Sequence, residues 1–196
     1  YMLWGAGSAL ALAFLLAQNL ALSARLRKDR VRLDVPGCPV PVYRTEVLRS
    51  ACLFGLFRPA IYLPPQALGE DGVPNRYVLL HELTHLKHGD LGGNQSAALI
   101  LAICWWNPVI WLAFRRFRRD MEIYCDYDAA RLSGDKKAYA TTLVKAAAGT
   151  EHFVLGTTSF IGGEKEASAR VKALAAFKKP KIWITAAAVL ALVIGI

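Results

Sequence analysis

Acidic residues are scarce in this chain, and its first 24 residues carry no charge at all. The 196 residues include 15 Asp and Glu against 24 Lys and Arg. Hydrophobic residues make up 55% of the chain and the mean hydropathy is +0.30, which is too apolar for an ordinary soluble domain of this size. The basic residues flank apolar runs and do not alternate with aromatic ones. The pI near 9.6 therefore does not indicate direct nucleic-acid binding.

Cysteine is also sparse, and no C-x-x-C pair occurs. The four cysteines are Cys38, Cys52, Cys104 and Cys125. We expect small buried thiols in a reducing compartment and assign them no metal role. The sequence contains no internal repeat and no low-complexity tract.

Two uncharged runs predict membrane helices at the two ends. Residues 1–24 can cross a bilayer core and are followed at once by basic residues, and residues 182–196 form a second, truncated run preceded by lysines. A signal peptide does not fit the first run, because its basic residues follow the apolar stretch. Basic flanks favour the cytoplasm. We therefore predict a cytoplasmic domain at residues 25–181, within a fragment of a longer membrane protein that is in contact with the lipid bilayer.

A third apolar run, residues 96–114, is also long enough to be called a span. It ends at arginines that favour the cytoplasmic side, and Asn107-Pro108 predicts a break within it. We expect a helix that does not cross, whether a core, re-entrant or interfacial one, although a crossing stays open if the metal site described below lies at membrane depth.

The segment His81-Glu82-Leu83-Thr84-His85 has the pattern H-E-x-x-H. On a helix, residues four apart share a face, so both imidazoles can bind one Zn²⁺ while Glu82 lies beside a bound water. Asn75 and Gly89 are suitable caps for such a helix. The motif indicates peptide-bond hydrolysis with Glu82 as the general base.

The third zinc ligand has two candidates. His88 shares the face of His81 but lies about 10 Å further along the axis, where it converges poorly with the other imidazoles. Glu122 can approach from a second helix, and Asp126, four residues later, can accept a hydrogen bond from a ligand imidazole. We favour Glu122.

The coarse pattern predicts a mostly α fold with a small β-sheet. Strands are expected at residues 40–45 and 60–63, helices at 75–88, 96–114, 115–132, 136–149 and 164–177, and a loop at 152–163. An edge of the sheet beside the zinc helix can take an extended substrate as an extra strand.

Three segments together resemble the M56 peptidases, the family of the BlaR/MecR β-lactam-sensing transducers. They are His81 to Asp90, Asn107 to Trp111 and Glu122 to Asp126, and Phe54 to Pro64 is similar to the family's segment before the zinc helix. The resemblance covers about residues 40–175. It implies a gluzincin-like zinc metallopeptidase domain between two transmembrane helices, with His81, His85 and Glu122 on zinc, Glu82 as base and Asp126 behind a ligand. The penicillin-binding sensor domain of some members is not among these residues.

The resemblance also implies a multi-pass protein of a bacterial inner membrane. It further implies regulated cleavage of the chain itself or of a cytoplasmic transcriptional repressor, and a homodimer is compatible with it. Ser159-Phe160 is the expected self-cleavage site, and Tyr139 is a candidate donor to the transition state. Two alternatives stay open. One is a constitutive quality-control or maturation protease resembling the M48 membrane peptidases, and the other is a transmembrane scaffold with structural zinc.

Overall fold

The computed structural model describes residues 2–147 and 164–176. The elements in chain order are α1 (Met2–Asp29), β1 (Val31–Leu33), β2 (Val42–Arg44), β3 (Cys52–Phe54), β4 (Ala60–Leu63), a 3₁₀ turn (Pro65–Ala67), α2 (Arg76–His88), α3 (Asp90–Ile103), α4 (Pro108–Ser133), α5 (Lys136–Ala147) and α6 (Glu164–Ala176). The predicted class, mostly α with a small sheet, is confirmed. The predicted loop at 152–163, the residues 177–181 and the second membrane run at 182–196 lie outside the described residues.

The sheet is mixed and lies between two helices. Its strand order is β1-β2-β4-β3, with β2 parallel to β4 and the other pairs antiparallel. One face buries Leu53, Ile61 and Leu63 against apolar side chains of α2. The other face packs on Leu22 and Leu26, near the end of α1. This arrangement fixes α2 beside the edge strand β3.

Two of the four strands were predicted from the sequence. Residues 60–63 were predicted with their observed bounds, and the prediction at 40–45 contains β2. The strands β1 and β3 were missed, because each has three residues and no alternation that local pattern can detect.

The caps of α2 are those that the sequence predicts. The Asn75 side chain accepts hydrogen bonds from the backbone N–H groups of Tyr77 and Val78, and Gly89 ends the helix at φ 72°. That left-handed residue also precedes the first residue of α3, so the chain turns a sharp corner there. Asp90 therefore folds back towards the end of α2.

The apolar run folds as a helical hairpin. A break at Asn107-Pro108 is confirmed, since α4 begins at Pro108 and the Asn107 side chain accepts from the N–H of Val109. The predicted division into helices 96–114 and 115–132 is wrong. One continuous helix covers Pro108–Ser133, because arginine is a good helix former and the cluster at 115–119 interrupts nothing. The hairpin brings the end of α4 back to α2.

Helix α1 is the candidate membrane helix within the described part of the chain, and it is long and apolar enough to cross a bilayer. Its N-terminal half packs on α3. The Trp4 indole and the Ser8 hydroxyl both donate to the carbonyl of Ile103, at 2.9 and 3.1 Å. Gly7 lies against the Trp105 ring, where an added Cβ would meet the indole at 2.3 Å.

Candidate metal centre

The motif residues of α2 lie together on its inner face. The Nε2 atoms of His81 and His85 are 3.1 Å apart. His85 and Glu82 are 1% and 4% exposed, so this face of the helix is buried in the protein. Residues 81, 82 and 85 are therefore positioned relative to one another by a single helix with both ends capped.

Each imidazole is held from behind through its Nδ1 atom. His85 Nδ1 lies 2.6 Å from Asp90 Oδ2. His81 Nδ1 lies 2.9 Å from the Tyr139 hydroxyl oxygen and 3.3 Å from Asp126 Oδ1. Because these partners are acceptors, we assign the ring proton to Nδ1 in both cases, which leaves both Nε2 lone pairs facing the site.

Two residues of α4 offer a third donor. The Glu122 carboxylate places Oε2 at 3.5 Å from His81 Nε2 and Oε1 at 3.7 Å from His85 Nε2. Cys125 forms with His81 and His85 a group whose ligand atoms lie within 4.8 Å of one another, and this group could hold a metal ion. Its Sγ atom is 3.7 Å from His81 Nδ1 and donates to the His81 carbonyl at 3.4 Å. Cys125 is therefore near Nδ1 of the His81 ring, whereas Glu122 is near its Nε2.

The contents of the site fit a cation. Two imidazole lone pairs at 3.1 Å from each other, beside a carboxylate, repel one another unless a positive charge lies among them. Two buried oxygens, Glu82 Oε2 and Glu122 Oε1, have no hydrogen-bond partner. Buried polar atoms without partners are costly, and a metal ion is a partner that nitrogen and carboxylate donors accept.

The pKa values show that the groups around the imidazoles favour positive charge there. Burial lowers the pKa of His85, but Cys125, Glu122 and the bond to Asp90 outweigh it and raise that pKa to about 10. Burial raises the pKa of Glu122, yet Arg170 and the two histidines lower it to about 2. The pKa of Glu82 is raised, chiefly by burial. Glu122 is therefore anionic, whereas Glu82 is the more basic of the two carboxylates.

An arginine from α6 completes the surroundings. Arg170 donates to both oxygens of Asp126 at 2.7 Å, and its Nη2 lies 3.1 Å from Glu122 Oε2. The guanidinium therefore joins two neighbouring carboxylates of α4 in the interior. Its own pKa is raised, because these carboxylates outweigh the effect of burial.

His88 lies apart from this cluster. Its Nε2 is 3.0 Å from Asp128 Oδ2, and its ring lies 4.8 Å from that of Tyr124. Glu122 lies beside both Nε2 atoms, whereas His88 does not, and the expected role of Glu122 as the third zinc ligand stays a prediction. Ser159 and Phe160 lie outside the described residues.

Sequence reasoning missed three residues of the candidate metal centre. Asp90, Cys125 and Arg170 received no role, and of these only Asp90 had a local signal, the glycine before it. Treating all four cysteines as inert thiols does not describe Cys125, which lies against both imidazoles. Tyr139 is 2% exposed, and its hydroxyl donates to Asp126 Oδ1 at 2.9 Å, on the Nδ1 side of His81. Its expected role as a transition-state donor stays a prediction.

Comparison with known proteins adds a family. The family profile described as BlaR1 peptidase M56 matches residues 2–174, which include every described residue of the metal centre. The "Regulatory protein BlaR1" of Bacillus licheniformis is 34% identical over 96 residues, which are 49% of this chain and 16% of that protein. The "Methicillin resistance mecR1 protein" of Staphylococcus aureus is 25% identical over 114 residues, 57% of this chain and 19% of that protein. The chain thus matches less than a fifth of the length of each relative.

Proposed function

The chain belongs to the BlaR1 peptidase M56 family, and from this premise we propose that it is a zinc-dependent endopeptidase of a bacterial membrane sensor-transducer. One observation carries the proposal. Two imidazole Nε2 atoms and the Glu122 carboxylate converge within 3.7 Å, beside a buried glutamate that has an unpartnered oxygen. That donor set matches the histidine and carboxylate ligands of catalytic zinc.

His81, His85 and Glu122 would hold the metal. Zinc, when bound, would supply a Lewis acid that lowers the pKa of bound water and polarises the scissile carbonyl. Glu122 is preferred to Cys125 as the third ligand, because its oxygens face the two Nε2 atoms while the thiol faces His81 Nδ1. The charge of Glu122 at neutral pH adds to this preference.

Glu82 is the proposed general base. It neighbours both histidines on the inner face of α2, and its Oε2 is free to accept a proton from a water molecule. Burial raises its pKa, which increases its basicity and allows it to hand the proton to the leaving amine. Glu82 is not needed to hold the metal.

Four surrounding residues position the ligands. Asp90 orients His85, and Asp126 orients His81 with the help of Tyr139. Arg170 holds Asp126 in place through two hydrogen bonds. Such partners fix the tautomer and the direction of the ligand rings.

The proposed substrate is an extended peptide beside β3. This strand is at one end of the sheet order and packs on α2. Glu82 contributes to the raised pKa of Cys52 in β3, after the larger effect of burial, so the general base and this strand are close neighbours. A peptide laid along β3 would bring its backbone to the site. The substrates we propose are a cytoplasmic repressor and the chain itself, at Ser159-Phe160.

The variant Glu82→Gln tests the proposal. Glutamine keeps the shape of the side chain but cannot take the proton, so purified protein should retain zinc and lose peptide cleavage. Mass spectrometry of the unchanged protein should show a fragment that ends between residues 150 and 170, and this fragment should be absent from the variant. Retained cleavage, or loss of zinc from the variant, contradicts the role of Glu82. Normal zinc content in a protein that never cleaves any peptide would instead indicate a structural metal.

We also propose that the centre is on the cytoplasmic side of the membrane. Both arms of the hairpin return to the same side, since the start of α3 and Glu122 meet at the centre. Cysteines introduced at residues 90–95 and 116–122 should react only with reagents supplied from the cytoplasm. Labelling of either segment from the opposite side overturns this orientation.

A further inference from the structure

The outer end of the α3–α4 hairpin, residues 97–114 and here called the hairpin tip, exposes a large apolar surface. Its exposed side chains include Leu99, Ile100, Trp106, Val109, Trp111 and Leu112. A contiguous exposed apolar surface on a folded protein marks a contact with another apolar phase or partner.

Four backbone carbonyls of the irregular turn accept hydrogen bonds from within the protein. The carbonyl of Ile103 accepts from Trp4 and Ser8, and that of Trp105 accepts from the Trp111 indole at 2.8 Å. The carbonyls of Cys104 and Asn107 accept backbone N–H groups of the same turn. In water, the carbonyls of such a turn can bond to solvent. In hydrocarbon, non-helical backbone must find its hydrogen-bond partners within the protein.

Three helices change from apolar to polar at one level. Leu15 of α1 packs against Ala98 of α3 and Phe114 of α4, so these residues are side by side.

Just beyond that level α1 reaches its first amides, Gln18 and Asn19. In the same direction α3 has Gln95 and Ser96, and α4 has the exposed pair Arg115 and Arg116. A change from apolar to polar residues at the same level in three neighbouring helices is the pattern expected at a membrane surface.

The charges fit anionic headgroups. No acidic residue occurs between Asp90 and Asp120, while arginines follow the tip directly. Arg115 lies seven residues after Pro108, or about 10 Å along the helix, which is less than one leaflet of a hydrocarbon core about 30 Å thick. Arginine is costly inside hydrocarbon and favourable at anionic headgroups, so it sets the depth.

We propose that the hairpin tip inserts into the cytoplasmic leaflet of a bilayer containing anionic phospholipid, as a re-entrant element beside α1. The membrane surface then crosses α1 near Leu15 to Gln18, and not after Ala24 as the uncharged run alone predicts. The second half of α1 lies outside the hydrocarbon, where Leu22 and Leu26 pack on the sheet. Along α4, Glu122 lies about 10 Å beyond Arg115. The metal centre therefore faces the membrane surface, and peptide segments next to the membrane are within its reach.

Spin-label accessibility tests this placement. The full chain, with its native cysteines replaced, is labelled at one introduced cysteine and reconstituted into vesicles of phosphatidylcholine and phosphatidylglycerol. The three positions are Val109 in the tip, Leu20 on α1 beyond the proposed surface, and Leu132 on α4 as the matched control, all exposed in the structure. Relaxation by oxygen reports hydrocarbon, and relaxation by a nickel chelate reports water.

The expected result is oxygen-dominated relaxation at Val109, at a depth of about 10 Å, and nickel-dominated relaxation at Leu20 and Leu132. Nickel access at Val109 equal to that at Leu132 places the tip in water and overturns the proposal. Immobility at Val109 with access to neither reagent shows a protein cover, either another helix or a second copy, and also overturns it. Oxygen dominance at Leu20 returns the membrane surface to Ala24 and rejects the shared level.

A second measurement leaves the native cysteines in place. Phosphatidylcholine brominated high on its acyl chains should quench the tryptophan emission of the unchanged protein, and Trp106→Phe should reduce the quenched part. Equal quenching in the two proteins contradicts the insertion. The inference rests on the membrane location proposed above, but these readouts do not involve cleavage, so it can fail while the peptidase proposal stands.

Discussion

Asp90 offers the sharpest test of how the candidate metal centre is assembled, because its role comes only from the structure. Its Oδ2 lies 2.6 Å from His85 Nδ1, a distance typical of a strong, charge-assisted hydrogen bond. This bond keeps the proton on Nδ1 and directs the Nε2 lone pair into the site. Removing it should weaken metal binding without removing any ligand.

The expected size follows from what the substitutions leave behind. Asparagine still presents an oxygen to the Nδ1–H group but carries no charge, so Asp90→Asn should weaken zinc binding about 10-fold, or about 1.4 kcal/mol. Alanine removes both the acceptor and the charge. Asp90→Ala should therefore approach a 100-fold loss, about 2.7 kcal/mol.

The assay is competition for zinc with a chromophoric chelator, on the purified full chain at one fixed pH. The matched control is Asp128→Ala. It removes the same kind of partner from His88, with Nε2 and Oδ2 3.0 Å apart, outside the cluster. We expect the control to keep the original zinc affinity. The proposed role of Asp90 is wrong if the zinc affinity of Asp90→Ala is within twofold of that of the unchanged chain. It is also wrong if the control loses as much zinc affinity as Asp90→Ala.

Three further substitutions test other contacts in the structure. Glu122→Ala should lower zinc affinity far more than Cys125→Ala in the same titration, and the reverse order would make the thiol the third ligand. Arg170→Met should lower the stability of the metal-free chain by about 3 to 5 kcal/mol, because two carboxylates stay buried without their cation; a loss below about 1 kcal/mol in denaturant unfolding contradicts this. Added zinc should restore part of that loss. Gly7→Ala should cost about 1 to 3 kcal/mol, since its Cβ would meet an indole ring at 2.3 Å, whereas Gly5→Ala, with no atom within 4 Å, should be tolerated.

The sequence could predict what periodic spacing encodes. Four-residue spacing put His81 and His85 on one helix face, and the same spacing put Glu122 and Asp126 on another. The capping residues of α2 were readable for the same reason, since Asn75 and Gly89 act within a few residues of themselves.

The rest depends on turns and on distant chain. Asp90 reaches His85 only because Gly89 takes a left-handed conformation, and a straight helix would carry it away. Arg170 lies on a separate helix, and nothing near it in sequence points to Asp126. Hydropathy failed at residues 96–114 because the turn itself contains tryptophans, which read as a continuation of the apolar run.

The two arms of the hairpin tip can be shortened together by protein engineering. Residues 97–103 and 108–114 contribute about two helical turns each. Their buried cluster, Ala98, Leu101 and Phe114, is separate from the clusters that hold the sheet and α2. Excising equal lengths from both arms and joining them by a short loop leaves Asp90 and Glu122 on the remaining, unshifted halves of the helices. We expect such a shortened variant to need less detergent for crystallisation, with no substitution among the residues of the candidate metal centre.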